Sequence, residues 1–339
     1  MKQLRLFLFP ALLCLSLTDK QQVRRIYFEG PAQGTSYHIT YYAPDTLLRQ
    51  EQADSLLAVI DASMSLYKPA SLISRFNAGQ QPVELDEHFL AVAQKAIEIG
   101  QKTGGLFDMS IQPLTQLWGF GTSGLKTQPD SAAVQRALSA VGPSKLKLEG
   151  RHLRKMMPGA GADVNGIAQG YTVDALAKLL ASRGVSNFLV EVGGEIRVSG
   201  RKLPSGESMR IGIESPEADG AGVHPMQRIL TLAQGAITTS GSYRKFYERG
   251  GRHINHIISP KTGYPVSNEL ISVTVYAPDA MTADGYDNAL MLMGLEQALA
   301  FVEKQPELAA YFIYRKPDGN TADTASTRFA TLLQPKDTR

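Results

Sequence analysis

The chain has 339 residues, 43% hydrophobic and 20% charged, the mixture of a globular protein long enough for one large domain or two smaller ones. Its 35 basic and 32 acidic residues leave a formal net charge of +3. No basic run is interleaved with aromatics, so nucleic acid is not a favoured partner.

At the N-terminus, Lys2 and Arg5 precede an apolar run from Leu6 to Leu17, and Thr18, Asp19, Lys20 and Gln21 then turn abruptly polar. A run of about 12 apolar residues has the shape of a secretory signal and falls short of the roughly 20 that span a bilayer. Residues 1–20 are therefore expected to be a signal peptide or lipoprotein leader, and residues 21–335 a single domain. Cys14, the one cysteine, lies inside that run, so the remaining chain can form no disulfide, which fits an exported protein without proving one. Bulky Leu13 stands where lipoprotein signals usually carry a small residue, and lipidation and simple cleavage or membrane retention both stay open.

From Ile26 to Ala43 the pattern predicts two strands joined through a glycine-containing turn, and a helix follows from about Thr46 to Met64. After "MSLYKPASLISRFNAG", a loop and short helix, a further helix spans about Glu87 to Thr103. "GGLFDMSIQPLTQLWGFG" holds the only tryptophan, Trp118, and reads as an ordered connection whose bulky residues need burial. Asp130 to Val141 reads as a helix and Lys145 to Met156 as a hairpin turning at Gly150. In "DVNGIAQGYTVDALAKLLASRG", Ile167, Tyr171, Val173, Leu176, Leu179 and Leu180 form the stripe of a helix closed by Gly184. Strands are expected at "NFLVEVGGEIRVSG", "MRIGIES" and "QRILTLAQGAITTSG", then a glycine-rich region from Gly250 to Gly263. The chain ends with a strand from Ser272, a helix entered at Asp279, a second helix over about Leu295 to Lys304, the strand "AAYFIYRK" and a frayed terminus. Strands and helices mix without steady alternation, which argues for an α+β fold.

Four segments could carry chemistry. In "ADVNGIAQGY", Gly166 and Gly170 leave the backbone bare where a helix begins, which suits phosphate or a carbonyl-ligated hard cation, and equally a helix capped by Asp163. In "VEVGGEIRVSG", Gly193 and Gly194 suggest a bulge or close backbone approach by a ligand, with Glu195 and Arg197 on one face, and equally an ordinary surface ion pair of those two residues. His253 and His256, with Tyr243, Arg244 and Tyr247 upstream, offer a general base or a phosphate clamp, or only loop hydrogen bonds. With no other cysteine and no His-x-x-x-His pair, zinc is disfavoured. In "TADGYDN", Asp284 and Asn288 lie one helical turn apart with Asp287 near the same face, an oxygen set suited to Mg²⁺. Capping explains Asp279 and Asp284 as well, but not Asn288.

Together, "MSLYKPASLISRFN", "GGLFDMSIQPLTQLWGFG", "DVNGIAQGYTVD", "VEVGGEIRVSG", "TTSGSYRKF", "HIISPKTGYPV" and "APDAMTADGYDNAL" resemble, in order, the FAD:protein FMN transferase (ApbE) family. The resemblance runs from about Ala32 to Lys304. It implies an α+β fold of mixed, mainly antiparallel sheets with packed helices and an active-site cleft between two subregions. It implies an exported enzyme on the periplasmic side of the bacterial inner membrane. Such an enzyme uses Mg²⁺ to split FAD and passes FMN to a Thr or Ser of a partner flavoprotein, releasing AMP. An Mg²⁺-dependent FAD pyrophosphatase and a non-catalytic exported FAD-binding protein are the alternatives.

Carried over by residue, the resemblance assigns metal ligation to Asp284, Asn288 and the Gly166 carbonyl, with Asp287 as a further candidate. It assigns FAD binding to Gln33, Tyr67, Leu106, Phe107, Asp108, Asp163, Gln169 and Ile258, and catalysis to His256 and Asp284. Asn288 stands where the family frequently has threonine, Gln169 where it often has lysine or glutamate, and Ser259 where an aspartate is common.

Overall fold

Alternating burial builds the first strands: Tyr37, Ile39, Tyr41 and Ala43 are buried while Ser36, His38, Thr40 and Tyr42 are more exposed. The computed structural model describes residues 22–124, 128–217, 225–250 and 252–334. The expected leader, residues 1–20 with Cys14, lies outside the described residues. Among those described, no helix is long and apolar enough to cross a membrane.

In chain order, β1 (Arg24–Ala32) and β2 (Thr35–Ala43) form a hairpin, followed by α1 (Gln50–Met64), α2 (Leu72–Ala78), β3 (Val83–Glu84) and α3 (Glu87–Lys102). Next come α4 (Gln112–Leu117), α5 (Ser131–Leu138), the hairpin β4 (Leu146–Glu149) and β5 (His152–Lys155), and α6 (Ala168–Ser182). Strands β6 (Phe188–Val192), β7 (Glu195–Ser199), β8 (Met209–Glu214), β9 (Met226–Leu232) and β10 (Gln234–Gly241) lead to the hairpin β11 (Phe246–Arg249) and β12 (Arg252–Asn255). The last elements are β13 (Leu270–Ala277), α7 (Ala280–Met293), α8 (Leu295–Glu303), β14 (Ala309–Arg315), β15 (Thr321–Ala325) and α9 (Thr327–Ala330).

The main sheet has eight strands in the order β1-β2-β6-β7-β10-β13-β14-β15, and every neighbouring pair is antiparallel. This is the α+β architecture expected. On one face, Val273, Val275 and Ala277 pack with Ala283, Tyr286 and Leu290 of α7, joined by apolar residues of α1, α2, α3 and α8. Alongside, Tyr37, Ile39, Val190 and Val192 pack on Val173, Leu176 and Leu180 of α6. The opposite face is closed by the β8–β9 hairpin and Phe329 of α9. A smaller cluster under the β11–β12 hairpin gathers Leu114, Trp118, Val134, Val141, Ile254 and Ile258, so the bulky residues of the tryptophan segment are buried as required.

Three expectations change. Gly193 and Gly194 form no bulge: both have positive φ and make the two-residue turn of the β6–β7 hairpin, where Val192 pairs with Glu195. The glycine-rich stretch from Gly250 contributes strand β12. The C-terminus is not frayed over Thr321–Ala330, because β15 closes the sheet edge and α9 packs Phe329 beneath it.

α7 starts at Asp279, whose side chain accepts from the Thr282 N–H at 2.8 Å, and is buried on nearly every side. Its crossing with α6 is closest at Gly170, where a Cβ would lie 2.4 Å from the Ala280 carbonyl oxygen and 2.7 Å from the Asp284 Cβ. Alanine is the better helix former by about 1 kcal/mol, whereas overpacking against backbone costs about 1–3 kcal/mol. Gly170→Ala should therefore show a net loss of up to about 2 kcal/mol in urea unfolding; a gain of about 1 kcal/mol, the helix preference of alanine unopposed, would refute the tight crossing.

Candidate active site and metal centre

The site is assembled where α6, α7 and two hairpin turns meet at one end of the sheet. Gln33 and Gly34, both at positive φ, turn the β1–β2 hairpin, and Gly193 and Gly194 turn β6–β7. The two turns are neighbours, since the Gly193 N–H donates to the Ser36 carbonyl at 3.0 Å. A non-glycine residue at φ 50° carries backbone strain, and Gln33 is held there by its side chain, which donates to Thr172 Oγ1 on α6 at 2.8 Å. Gln169 reaches the other turn: a Cβ on Gly193 would lie 2.3 Å from its Nε2. Both glutamines named from the sequence thus lie over the first turns of α6.

Beneath them, Glu195 of β7 and Asp284 and Asp287 of α7 bring one carboxylate oxygen each to within 4.8 Å of one another, and all three residues are buried. Asp284 and Asp287 share a helix face by their i, i+3 spacing. Glu195 follows the glycine turn that ends the preceding strand. One Asp284 oxygen accepts from the Gly170 N–H at 2.8 Å, at the positive end of α6. Glu195 Oε2 and Asp287 Oδ1 are buried with no hydrogen-bond partner. Burial raises the pKa of Asp284 to about 7, aided by the nearby charge of Asp174. Burial pushes Glu195 and Asp287 well above the ordinary carboxylate range, with repulsion from Asp284 acting on both and from Asp287 on Glu195. Three acids in this state hold protons or need a cation, and an all-oxygen donor set suits a hard divalent ion such as Mg²⁺.

The expected metal residues are mostly brought together. Gly166 sits against Asn288, since a Cβ there would come 3.0 Å from the amide nitrogen and 3.5 Å from the Phe107 ring. Asn288 Oδ1 is turned to Ser240, accepting from its hydroxyl at 2.8 Å. A serine hydroxyl also accepts, so a reversed amide can donate to Ser240 and present its oxygen toward Gly166. For Glu195 the sequence leaves open a ligand-facing position or a surface ion pair with Arg197. Arg197 instead pairs with Asp174 of α6 at 3.0 Å, and Glu195 joins the acids. The visible signal was the glycine pair just before Glu195; its helix partners lie some ninety residues further on, beyond any spacing rule.

The other named residues divide. Asp108 Oδ1 accepts from the Ser110 N–H and hydroxyl at 2.8 and 2.7 Å, while Oδ2 is buried without a partner and burial raises the pKa. Leu106 packs at the margin of the main core. Asp163 caps no helix: its oxygens accept from Thr115 Oγ1 at 2.9 Å and the Asn165 N–H at 3.0 Å, tying α4 to the loop before α6. Ile258 is buried beside Trp118. Tyr67 lies on the loop between α1 and α2 and is 69% exposed.

His256 follows β12 and is half-buried, with its ring edge-on to Phe120 at 6.3 Å. Nδ1 lies 3.1 Å from the Lys245 carbonyl oxygen, an acceptor only, so Nδ1 carries the proton and Nε2 keeps a free lone pair. Burial lowers its pKa to about 4, so the ring is neutral near pH 7. His253 instead stacks on Phe246 at 4.2 Å and contacts the Ser242 carbonyl.

The profile of the ApbE family matches residues 33–312. The chain belongs to the ApbE family. It is 36% identical over 333 residues to the FAD:protein FMN transferase of Vibrio cholerae serotype O1, covering 95% of this chain and 97% of that one. With the FAD:protein FMN transferase of Haemophilus influenzae it shares 33% identity over 351 residues, covering 99% and 100%. Among solved structures, the flavin transferase ApbE from Vibrio cholerae superposes with a TM-score of 0.82 at 34% identity, over 92% of this chain and all of that one. The apo flavinyl transferase ApbE of Pseudomonas stutzeri gives 0.81 at 31% identity, over 92% and 98%. The resemblance read in the seven segments and the α+β fold expected from it are both borne out.

His256 generates a pH signature. In the unfolded chain its pKa returns to about 6.5, so between that value and about 4 the unfolded state binds the extra proton. Its contribution is complete above pH 6.5 and is lost as pH falls toward 4. His256→Gln should therefore lose less stability than the parent between pH 7.5 and 5 in urea melts; equal losses would show that the ring is not neutral in the fold.

Proposed function

We propose that this chain is an Mg²⁺-dependent FAD:protein FMN transferase, joining FMN through a phosphoester to a Thr or Ser of an acceptor flavoprotein and releasing AMP. The observation that carries the metal dependence is the buried trio of Glu195, Asp284 and Asp287, two of whose oxygens have no partner. These residues fit a hard divalent cation, with the Gly166 carbonyl and the Asn288 amide beside them. The activity by which the relatives are named supplies the reaction.

A bound ion would neutralise charge on the FAD pyrophosphate and orient it for in-line attack. The chain's own part is to position and deprotonate. The bare turns at Gly34 and Gly193–Gly194 allow close approach of the dinucleotide, with Gln33 and Gln169 donating to it. Neutral His256 takes the proton of the incoming Thr or Ser hydroxyl at Nε2. That oxygen bonds to the FMN phosphorus, the P–O bond to AMP breaks, and AMP leaves with the bond electrons. The acceptor is held on the exposed side of the His256 ring.

The test is to incubate the full chain with FAD, Mg²⁺ and an acceptor domain bearing a flavinylatable Thr or Ser, following acceptor mass and AMP. One FMN gained per AMP released supports transfer; AMP with unmodified acceptor makes the chain a pyrophosphatase, and neither product leaves a FAD-binding protein. Glu195→Gln and Asp284→Ala should each weaken Mn²⁺ binding by at least about tenfold and suppress turnover. His256→Ala should lower kcat about 10²–10⁴-fold with little change in FAD affinity. Undiminished transfer in any of the three removes that residue from the mechanism.

We also propose export, with the acceptor on the same side of the membrane and attachment through the leader. The charged, apolar and polar succession over residues 1–21 supports it. Fractionation of expressing cells should place the chain in the periplasmic or membrane fraction, and recovery only from the cytoplasm would overturn it.

A further inference from the structure

Asp174 lies on α6, outside the acidic trio, and its carboxylate makes three contacts with two other elements. Oδ1 accepts from the Ala280 N–H at 3.0 Å and from Arg197 Nη1 at 3.0 Å, and Oδ2 accepts from the Met281 N–H at 2.8 Å. Ala280 and Met281 are the first two residues of α7, whose next N–H, at Thr282, is taken by Asp279. The start of α7 is thus capped by two acids with different consequences. Asp279 belongs to the helix it caps, whereas Asp174 reaches in from α6 and at the same time grips β7.

We infer that Asp174 is a positioning residue for the metal centre, fixing the distance between the α7 carboxylates and Glu195. The geometry is direct. Asp284 is four residues beyond Ala280, one helical turn into α7. Glu195 is two residues before Arg197 on β7, on the same side of the strand. Gly170, whose N–H holds Asp284, is one helical turn before Asp174 on α6. One side chain therefore locks together the three elements that converge on the ion. The side chains of Asp174 and Arg197 are 20% and 24% exposed, so the link is mostly buried while one side of it borders an open surface pocket. A hard cation bound by carboxylates from two elements is sensitive to their separation, and outer residues that orient ligands typically change metal affinity about 10–100-fold.

The inference rests on the metal reading of the trio, and the test separates the two. Mn²⁺ binding to the full chain without FAD is measured by calorimetry and electron paramagnetic resonance, with circular dichroism as a check on folding. Asp174→Asn keeps the size but offers one acceptor oxygen in place of two and turns an amide N–H₂ toward donors; it should weaken Mn²⁺ binding about tenfold. Asp279→Ala removes the other cap of the same helix without touching β7; it should lower Tm while leaving the Mn²⁺ Kd within about twofold. If Asp174→Asn does not fold, Arg197→Gln carries the test by cutting only the strand link, with a several-fold loss of affinity expected. Parental Mn²⁺ affinity in Asp174→Asn or folded Arg197→Gln, or equal losses in Asp174→Asn and Asp279→Ala, would overturn the inference. A parent chain that binds no Mn²⁺ would overturn the metal reading itself and the inference with it.

Discussion

The close crossing of α6 over α7 at Gly170 is the constraint on which the rest of the site depends. No side chain fits between the helices there, and the space saved lets one backbone N–H reach Asp284. The helix dipole then faces a carboxylate, a favourable arrangement worth up to about 2 kcal/mol when partly buried. With α6 held this close, Gly166 falls against Asn288 and the glutamines of α6 and the first hairpin lie above the acids. The sheet sets the remaining coordinate, because Glu195 is registered opposite Val192 by the tightest turn two strands can make.

Placing three acids in that space is costly. At an effective dielectric near 20, two full charges about 5 Å apart repel by roughly 3 kcal/mol, and desolvation adds several kcal/mol for each ion. A fold accepts such a cost where a ligand returns it, so stability and occupancy are linked: a cation bound only by the folded state raises its stability with concentration. The Asp174 bridge resists the outward relaxation by which the acids would otherwise reduce their repulsion.

Much of the architecture was legible in the sequence because it rests on local patterns. The apolar stripes of α3 and α6, the turn at Gly150 and the alternation of β2 all reappear, and the polar positions of α7 were readable from helical spacing alone. What was not legible is long-range. For Glu195 a surface pair with Arg197 stayed open because nothing local indicates that the strand carrying both is central to the sheet and covered by α6 and α7. β15 has little apolar alternation, since it lies at the sheet edge with all five residues half-buried, and only its pairing with β14 defines it. β12 is hidden among glycines and charges, and it is stabilised by Ile254 packing on the buried tryptophan cluster.

The way His256 is pinned has a further consequence. With Nδ1 committed to a main-chain carbonyl, the imidazole cannot pass a proton from one nitrogen to the other as a relay would; whatever Nε2 accepts must leave from Nε2. A ring whose conjugate acid is so strong surrenders that proton readily to water or to a departing phosphate. In the proposed reaction, such a base is reset through the same ring nitrogen that took the proton.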